Sequence, residues 1–160
     1  TLAGADVFRR GMDQYFERND GKAVTTEEFL KAMEDANNID LQQFRNWYTQ
    51  AGTPVVTVSE DYDAASNSYS LSLMQKTPAT PGQDEKKPMP IPLKIALFDR
   101  ESAKHSGEQL VVLDKESDTF RFPGFAKLPV LSINRSFSAP VTISRSFDSM
   151  NPVAAAAQPE

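Results

Sequence analysis

Segment 19–29 is the first stretch whose residue spacing could support chemistry, because it looks like the second half of a calcium-binding loop. When its glycine is placed at the sixth position of an EF-hand loop, Asp20 takes the fifth position and Glu27 the twelfth, where calcium requires oxygen ligands. The first and third positions are then Phe16 and Arg18. Because an aromatic ring and a cation cannot coordinate calcium, the segment favours a helix–turn–helix with a capped second helix.

The sequence patterns of known catalytic sites are also incomplete in this chain. His105 is the only histidine, so no pair of imidazoles can hold a catalytic zinc ion. It stands between Lys104 and Ser106 and is expected to lie in an exposed loop. The sequence contains no Gly-x-Ser-x-Gly elbow for a nucleophilic serine, and its glycines are scattered singly, which excludes a phosphate-binding loop.

Two pairs of carboxylates could suggest acid–base catalysis. Glu27 and Glu28 are expected to cap a helix, and Asp61 and Asp63 are expected to lie in a hairpin region. Solvated surface positions account for both pairs. The residues by themselves therefore predict no catalytic residue and no metal ligand in this chain.

Composition limits the classes of partner and compartment. The chain has 160 residues, with 17 Lys and Arg against 22 Asp and Glu, and this acidity argues against nucleic acid as a partner. It has no cysteine, no apolar run approaching the roughly 20 residues that span a bilayer, and no secretory signal pattern. We expect a cytoplasmic protein, or an organellar one after removal of a transit peptide.

The first part of the chain reads as helix. Residues 4–17 carry an apolar stripe with helical spacing, and a capping box of Thr25 and Glu28 starts a second helix that continues to about Asn37. Asp40 can cap a third, short helix. The apolar residues of that helix are Leu41, Phe44, Trp47 and Tyr48.

After the third helix, the spacing of the apolar residues changes abruptly within residues 44–55. Gly52 and Pro54 end the helix, because glycine accepts positive φ and proline cannot continue a helix. From Pro54 the apolar residues alternate with a period of two. This segment is predicted to be an interdomain junction of structural importance. The residues predicted to form it are Phe44, Trp47, Tyr48, Gly52 and Pro54.

The remainder of the chain reads as short strands separated by turns. About seven are expected, and their spacing is typical of an antiparallel sandwich. Residues 77–90 are rich in proline and charge and are predicted to be a solvated loop. The predicted fold class is α+β, with a short N-terminal helical segment followed by an antiparallel Ig-like β-sandwich.

Several segments together resemble a known family. The first is the run from Tyr15 to Phe29; the others are 32–36, 44–55, 75–81 and 137–141. They resemble the bacterial-type aminopeptidase N branch of the M1 zinc metallopeptidases. The resemblance implies that residues 1–44 are the last helices of a thermolysin-like catalytic domain and that residues 45–147 form its neighbouring β-sandwich domain. Residues 148–160 are expected to be a mobile tail.

The same resemblance implies which parts are missing from this chain. Family members hold zinc with a His-Glu-x-x-His helix and a distant glutamate, and they bind the substrate amine through Gly-x-Met-Glu-Asn. Neither motif occurs here, and the string from Ala32 to Asp35 lacks the glycine and the asparagine. No catalytic or metal residue is therefore transferred to this chain; zinc would belong to the parent enzyme.

Two functions remain open. In the first, the chain is a non-catalytic fragment of an M1 aminopeptidase whose partners are the catalytic and C-terminal helical domains. The chain begins within a helix, which favours a piece of a larger protein, and the stripe of Phe8, Met12 and Phe16 is expected to need a covering partner. In the second, it is a stand-alone sandwich that serves as a scaffold or subunit in a larger assembly.

Overall fold

The computed structural model describes residues 2–100, 104 and 106–145. The expectations for His105 and for the tail 148–160 lie outside this described part. The chain forms two compact units that divide between Ala51 and Gly52. The sequence placed this division between residues 44 and 45, so the segment 45–51 groups with the helices.

The helical unit begins with two helices, α1 over Ala5–Asn19 and α2 over Thr26–Asn37. They pack closely at Gly11, because a Cβ atom there would lie only 3.1 Å from the Cα of Met33. The Asn37 amide donates to the carbonyls of Val7 (2.9 Å) and Met33 (3.0 Å). The close approach of the helices at Gly11 and the two hydrogen bonds of the Asn37 amide thus fix the pairing of α1 with α2.

The capping box predicted at the start of α2 is confirmed. The Thr25 hydroxyl oxygen accepts from the Glu27 N–H at 3.2 Å, and the Glu28 carboxylate accepts from the Thr25 N–H at 2.8 Å. These two bonds satisfy amides that have no partner within the helix. The Thr25 hydroxyl also donates to the Glu28 carboxylate at 2.5 Å, and this bond, together with that from the Thr25 N–H, holds the pKa of Glu28 below its usual value.

The third predicted helix is present as two short pieces. A 3₁₀ turn covers Gln43–Arg45, and α3 covers Asn46–Thr49. Asp40 accepts from the Gln42 N–H at 2.7 Å in the turn before them, but it is not the N-cap that the sequence predicted, because the N-cap of the 3₁₀ turn is Gln42.

The second unit consists of two packed sheets, and the α+β fold class is confirmed. One sheet has the strand order β5-β2-β1-β7 and the other has the order β4-β3-β6. All pairs are antiparallel except β1 with β7, which run parallel. The strands are β1 Val55–Asp63, β2 Ser68–Lys76, β3 Ile91–Phe98, β4 Gln109–Leu113, β5 Ser117–Pro123, β6 Val130–Ile133 and β7 Thr142–Arg145.

The core lies between the inward faces of the sheets. Alternate residues of β1 and β2 are buried, as the period of two predicted, whereas β3 is buried on both faces over most of its length. Largest among the fully buried side chains are Tyr69, Leu71, Leu73, Ile91, Leu93, Ile95 and Leu97.

Segment 77–90 differs from the predicted solvated loop at both ends. Thr77 and Pro90 are buried, and Met89 is 1% exposed. Only the central part is solvated, where a turn joins Thr80 to Gln83 through two backbone hydrogen bonds. The loop is therefore anchored to the sandwich at both ends.

Candidate functional site

The helical side of the predicted junction carries three aromatic residues. The rings of Phe44 and Tyr48 meet edge to face, with centroids 6.0 Å apart. Phe44 and Trp47 are half-buried, whereas Tyr48 is 49% exposed. The 3₁₀ turn and α3 thus place part of this aromatic surface toward solvent.

Arg45 fixes this segment to α2. Its guanidinium makes a two-pronged contact with Glu34, at 2.9 and 3.1 Å, and its Nε donates to Glu27 at 2.9 Å. The Glu34 carboxylate also accepts from the Leu41 N–H at 2.9 Å. One charged side chain therefore sets the position of the 3₁₀ turn through paired, charge-assisted hydrogen bonds.

These contacts alter the titration of both partners. Hydrogen bonding to Arg45 holds the pKa of Glu34 below its usual range, although partial burial opposes this effect. Hydrogen bonds to Glu34 and Glu27 raise the pKa of Arg45. The charged forms of Glu34 and Arg45 are thus the ones that stabilise the segment.

On the sandwich side of the predicted junction, Gly52 and Pro54 lie next to different segments. Gly52 has φ of +98°, and a Cβ atom there would lie 3.4 Å from the methyl groups of Thr77 and Thr80. Pro54 is buried, and its carbonyl accepts from the Thr142 N–H at 3.0 Å. The 77–90 segment thus passes close to Gly52, and Pro54 bonds the start of β7.

Gln75 is a further positioning residue that the sequence reading missed. It is 7% exposed, and its amide nitrogen donates to the carbonyls of Met89 (2.9 Å), Leu113 (3.2 Å) and Lys115 (2.8 Å). Its amide oxygen accepts from the Met89 N–H at 2.9 Å. A signal was available, because Gln75 is the polar member of an otherwise apolar inward series in β2.

The contacts described at these positions are hydrogen bonds, one charged cluster and close packing. Among the described residues, no group of three His, Cys, Asp or Glu side chains could hold a metal ion, so they do not fit a zinc site. The half calcium loop forms a plain turn, in which Gly21 has φ of +71° and the Asn19 carbonyl accepts from the Lys22 N–H at 3.0 Å. Within the described part of the chain, no helix has the length and apolarity needed to cross a bilayer.

Residues 52–146 match the family described as a domain of unknown function, DUF3458, with an Ig-like fold. The chain belongs to this family. The DUF3458 match begins at Gly52, the residue at which the sandwich unit begins in the structure.

Beyond the DUF3458 domain, nearly the whole chain is similar to aminopeptidases. It is 43% identical over 150 residues to aminopeptidase N of Escherichia coli K12 and to that of Haemophilus influenzae Rd, covering 89% of this chain. It is 45% identical over 144 residues to aminopeptidase N of Caulobacter vibrioides. The chain spans only 17% of the length of each relative.

A solved structure shows the same similarity in three dimensions. The crystal structure of Legionella pneumophila aminopeptidase A in complex with aspartic acid matches 92% of this chain with a TM-score of 0.79 and 28% identity. The match covers 16% of that protein. The resemblance to the aminopeptidase N branch is therefore confirmed, and the matched region is a small part of each larger enzyme.

Proposed function

We propose that this chain is the non-catalytic part of an M1 zinc aminopeptidase that joins the catalytic domain to the β-sandwich domain. The observation that carries the proposal is the similarity of about nine-tenths of the chain to one small, continuous portion of aminopeptidase N. The helical unit is then the end of the catalytic domain. Zinc and the peptide-cleaving residues belong to the rest of the enzyme.

The contacts of the junction support a positioning role. Arg45 bonds the 3₁₀ turn to α2, Pro54 bonds the start of β7, and Gln75 bonds the end of the long loop. These bonds tie the segments on both sides of the division to elements of their own unit. Rigid elements that carry few reactive groups are suited to holding other domains in place. The partners are then the catalytic and C-terminal helical domains, in the cytoplasm or in an organelle.

A chimera tests this proposal. The segment of E. coli aminopeptidase N that matches this chain is replaced by the chain itself, and hydrolysis of alanine p-nitroanilide is measured. If the chain acts as a structural segment, the chimera retains zinc-dependent hydrolysis within about tenfold of the unmodified enzyme, a difference of about 1.4 kcal/mol in the barrier.

The matched control is a second chimera in which an unrelated Ig-like sandwich of similar length occupies the same place. It is expected to lose activity, because its surface does not fit the surrounding domains. Equal activity losses in both chimeras would contradict the proposal and would favour a stand-alone scaffold.

A further inference from the structure

The turn between α1 and α2 places an aspartate directly before a glycine. Asp20 has φ of −56° and ψ of 132°, and Gly21 has φ of +71°. The Asn19 carbonyl accepts from the Lys22 N–H at 3.0 Å and closes the turn. These angles and this bond are those of a type II turn, with Asp20 and Gly21 at its two central positions. Both residues are exposed to solvent.

Neither reactive group of this pair is held by another residue. Within the described part of the chain, the Asp20 carboxylate has no hydrogen bond or ion pair, and the Gly21 N–H has no acceptor. Apart from its chain neighbours, no atom lies within 4 Å of the position that a Cβ of Gly21 would occupy. The carboxyl group of Asp20 can therefore approach the Gly21 nitrogen without displacing a neighbour.

The peptide between the two residues can rotate while the closing bond of the turn remains. Type II and type I turns differ mainly in this peptide, because ψ of the first central residue changes from about +120° to about −30°. Glycine at the second position accepts both signs of φ. The observed ψ of Asp20 directs the Gly21 nitrogen away from the side chain. One direction of the rotation passes through the orientation in which this nitrogen faces the Asp20 Cγ.

The other aspartates lack this combination. Asp20 is the only aspartate in the sequence that is followed by glycine, and no asparagine is. Asp63 also lies in an exposed turn, but its carboxylate accepts from the Ala65 N–H at 2.9 Å and the Ser66 hydroxyl at 2.6 Å. The residue after it is Ala64, whose Cβ crowds the amide that would have to react. Asp63 is thus a matched comparison within the same chain.

We propose that the Asp20–Gly21 peptide is a site of covalent modification, at which this chain isomerises spontaneously to isoaspartate. The Gly21 nitrogen attacks Cγ of the protonated Asp20 carboxyl group. The N–Cγ bond forms, the bond from Cγ to the hydroxyl breaks, and the amide proton leaves with the hydroxyl as water. The product is a cyclic succinimide.

Water then opens the succinimide in one of two ways. Addition at Cγ breaks the N–Cγ bond and restores aspartate. Addition at the main-chain carbonyl breaks the original peptide bond and gives isoaspartate, in which the backbone continues through Cγ and the α-carboxylate is free. One water molecule leaves and one returns, so the reaction needs no oxidant, reductant or metal.

The modification changes the turn and not the contacts that pair the helices. The backbone gains a methylene group between Asn19 and Lys22, so their closing hydrogen bond is expected to be lost. The close approach at Gly11 and the bonds of Asn37 lie away from the turn. The helical unit is therefore expected to stay folded and to present a free α-carboxylate. This is the chemical group that isoaspartyl methyltransferases esterify.

The test follows isoaspartate in the purified chain during several weeks at neutral pH. Transfer of a labelled methyl group by an isoaspartyl methyltransferase measures the total amount. Cleavage after glutamate releases residues 18–27 and allows mass spectrometry to assign the position. At least about tenfold more isoaspartate is expected at Asp20 than at Asp63, a ratio that requires a barrier lower by only about 1.4 kcal/mol.

Two variants identify the reacting groups. Asp20→Glu keeps the charge but cannot form the succinimide, and the total isoaspartate is expected to stay at the level of a fresh sample. Gly21→Ala keeps the carboxylate and adds a Cβ beside the attacking nitrogen, which is expected to slow the reaction severalfold. Far-UV circular dichroism checks that both variants fold. Equal amounts at Asp20 and Asp63, no isoaspartate at Asp20, or an unchanged rate in either folded variant would overturn the proposal.

Discussion

At the scale of single residues, the most consequential side chains are polar ones with many partners. Gln75 and Arg45 each bond several groups that are distant in sequence. A buried amide or a half-buried guanidinium is stabilising only when its hydrogen bonds are made, since an unpaired buried polar group destabilises the fold. In the described residues no buried side-chain N or O atom lacks a partner. Removal of one such side chain therefore disrupts several contacts together.

Replacement of Gln75 by leucine is expected to destabilise the sandwich by about 2–4 kcal/mol. The change leaves the N–H of Met89 and the carbonyls of Leu113 and Lys115 without their side-chain partner. Urea unfolding measures the effect. Ser72→Ala on the same strand is the control, because its bond to Thr119 is exposed, and it is expected to cost less than about 1 kcal/mol. Similar values for the two variants would refute the role assigned to Gln75.

At the scale of elements, the sequence predicted most helices and strands well. The sequence predicted about seven strands, the number found in the described residues, and the capping box placed the N-cap of α2 at Thr25. The prediction of the third helix was less accurate, because the 3₁₀ turn at Gln43–Arg45 depends on the bonds of Arg45 to Glu34 in α2. Local patterns predict local hydrogen bonding, and they carry little information on contacts with distant carboxylates.

The ion pair of Glu34 and Arg45 predicts a pH dependence of the helical unit. The pKa of Glu34 is lower in the folded chain than in the unfolded chain, so its contribution is complete above the unfolded value and is lost as pH falls through the folded value. Glu34→Gln is expected to be less stable than the native chain by about 1.5–3 kcal/mol near neutral pH. This difference should shrink as pH falls through the lowered, folded-state pKa of Glu34, as measured by far-UV circular dichroism during unfolding.

Asp35→Asn is the matched control for this experiment. Asp35 also pairs with an arginine, Arg18, but both side chains are about two-fifths exposed or more, and exposed pairs contribute little. Its difference from the native chain is expected to stay within about 0.5 kcal/mol at every pH. If the Glu34→Gln difference were equally small or did not change with pH, the assigned ion pair would be wrong.

At the scale of the whole molecule, the chain combines a helical unit and an Ig-like sandwich, both similar to parts of longer aminopeptidases. The residues that the sequence selected at the junction lie on the two sides of the division at Ala51 and Gly52. Among the residues that the structure describes, no group of three His, Cys, Asp or Glu side chains could hold a metal ion.

The chain by itself is expected to release no amino-terminal residues from peptides or chromogenic amides, with or without added zinc. The reason is chemical, because a single histidine and no cysteine cannot provide the ligand set of a catalytic zinc site. Hydrolysis of alanine p-nitroanilide by the purified chain is the measurement, with E. coli aminopeptidase N as the positive control. Zinc-dependent turnover that follows the chain through purification would contradict this expectation.

The sequence alone determined the class of each segment, the capping box at Thr25, the turn after α1 and the resemblance to one enzyme family. These properties depend on residues within a few positions of one another, so a linear pattern contains them. Only the tertiary structure decided the parallel pairing of β1 with β7 and the burial of Gln75. Both depend on groups brought together from distant parts of the chain. The change from helix to strand within residues 44–55 was visible in the sequence, whereas the bonds that hold its two sides were not.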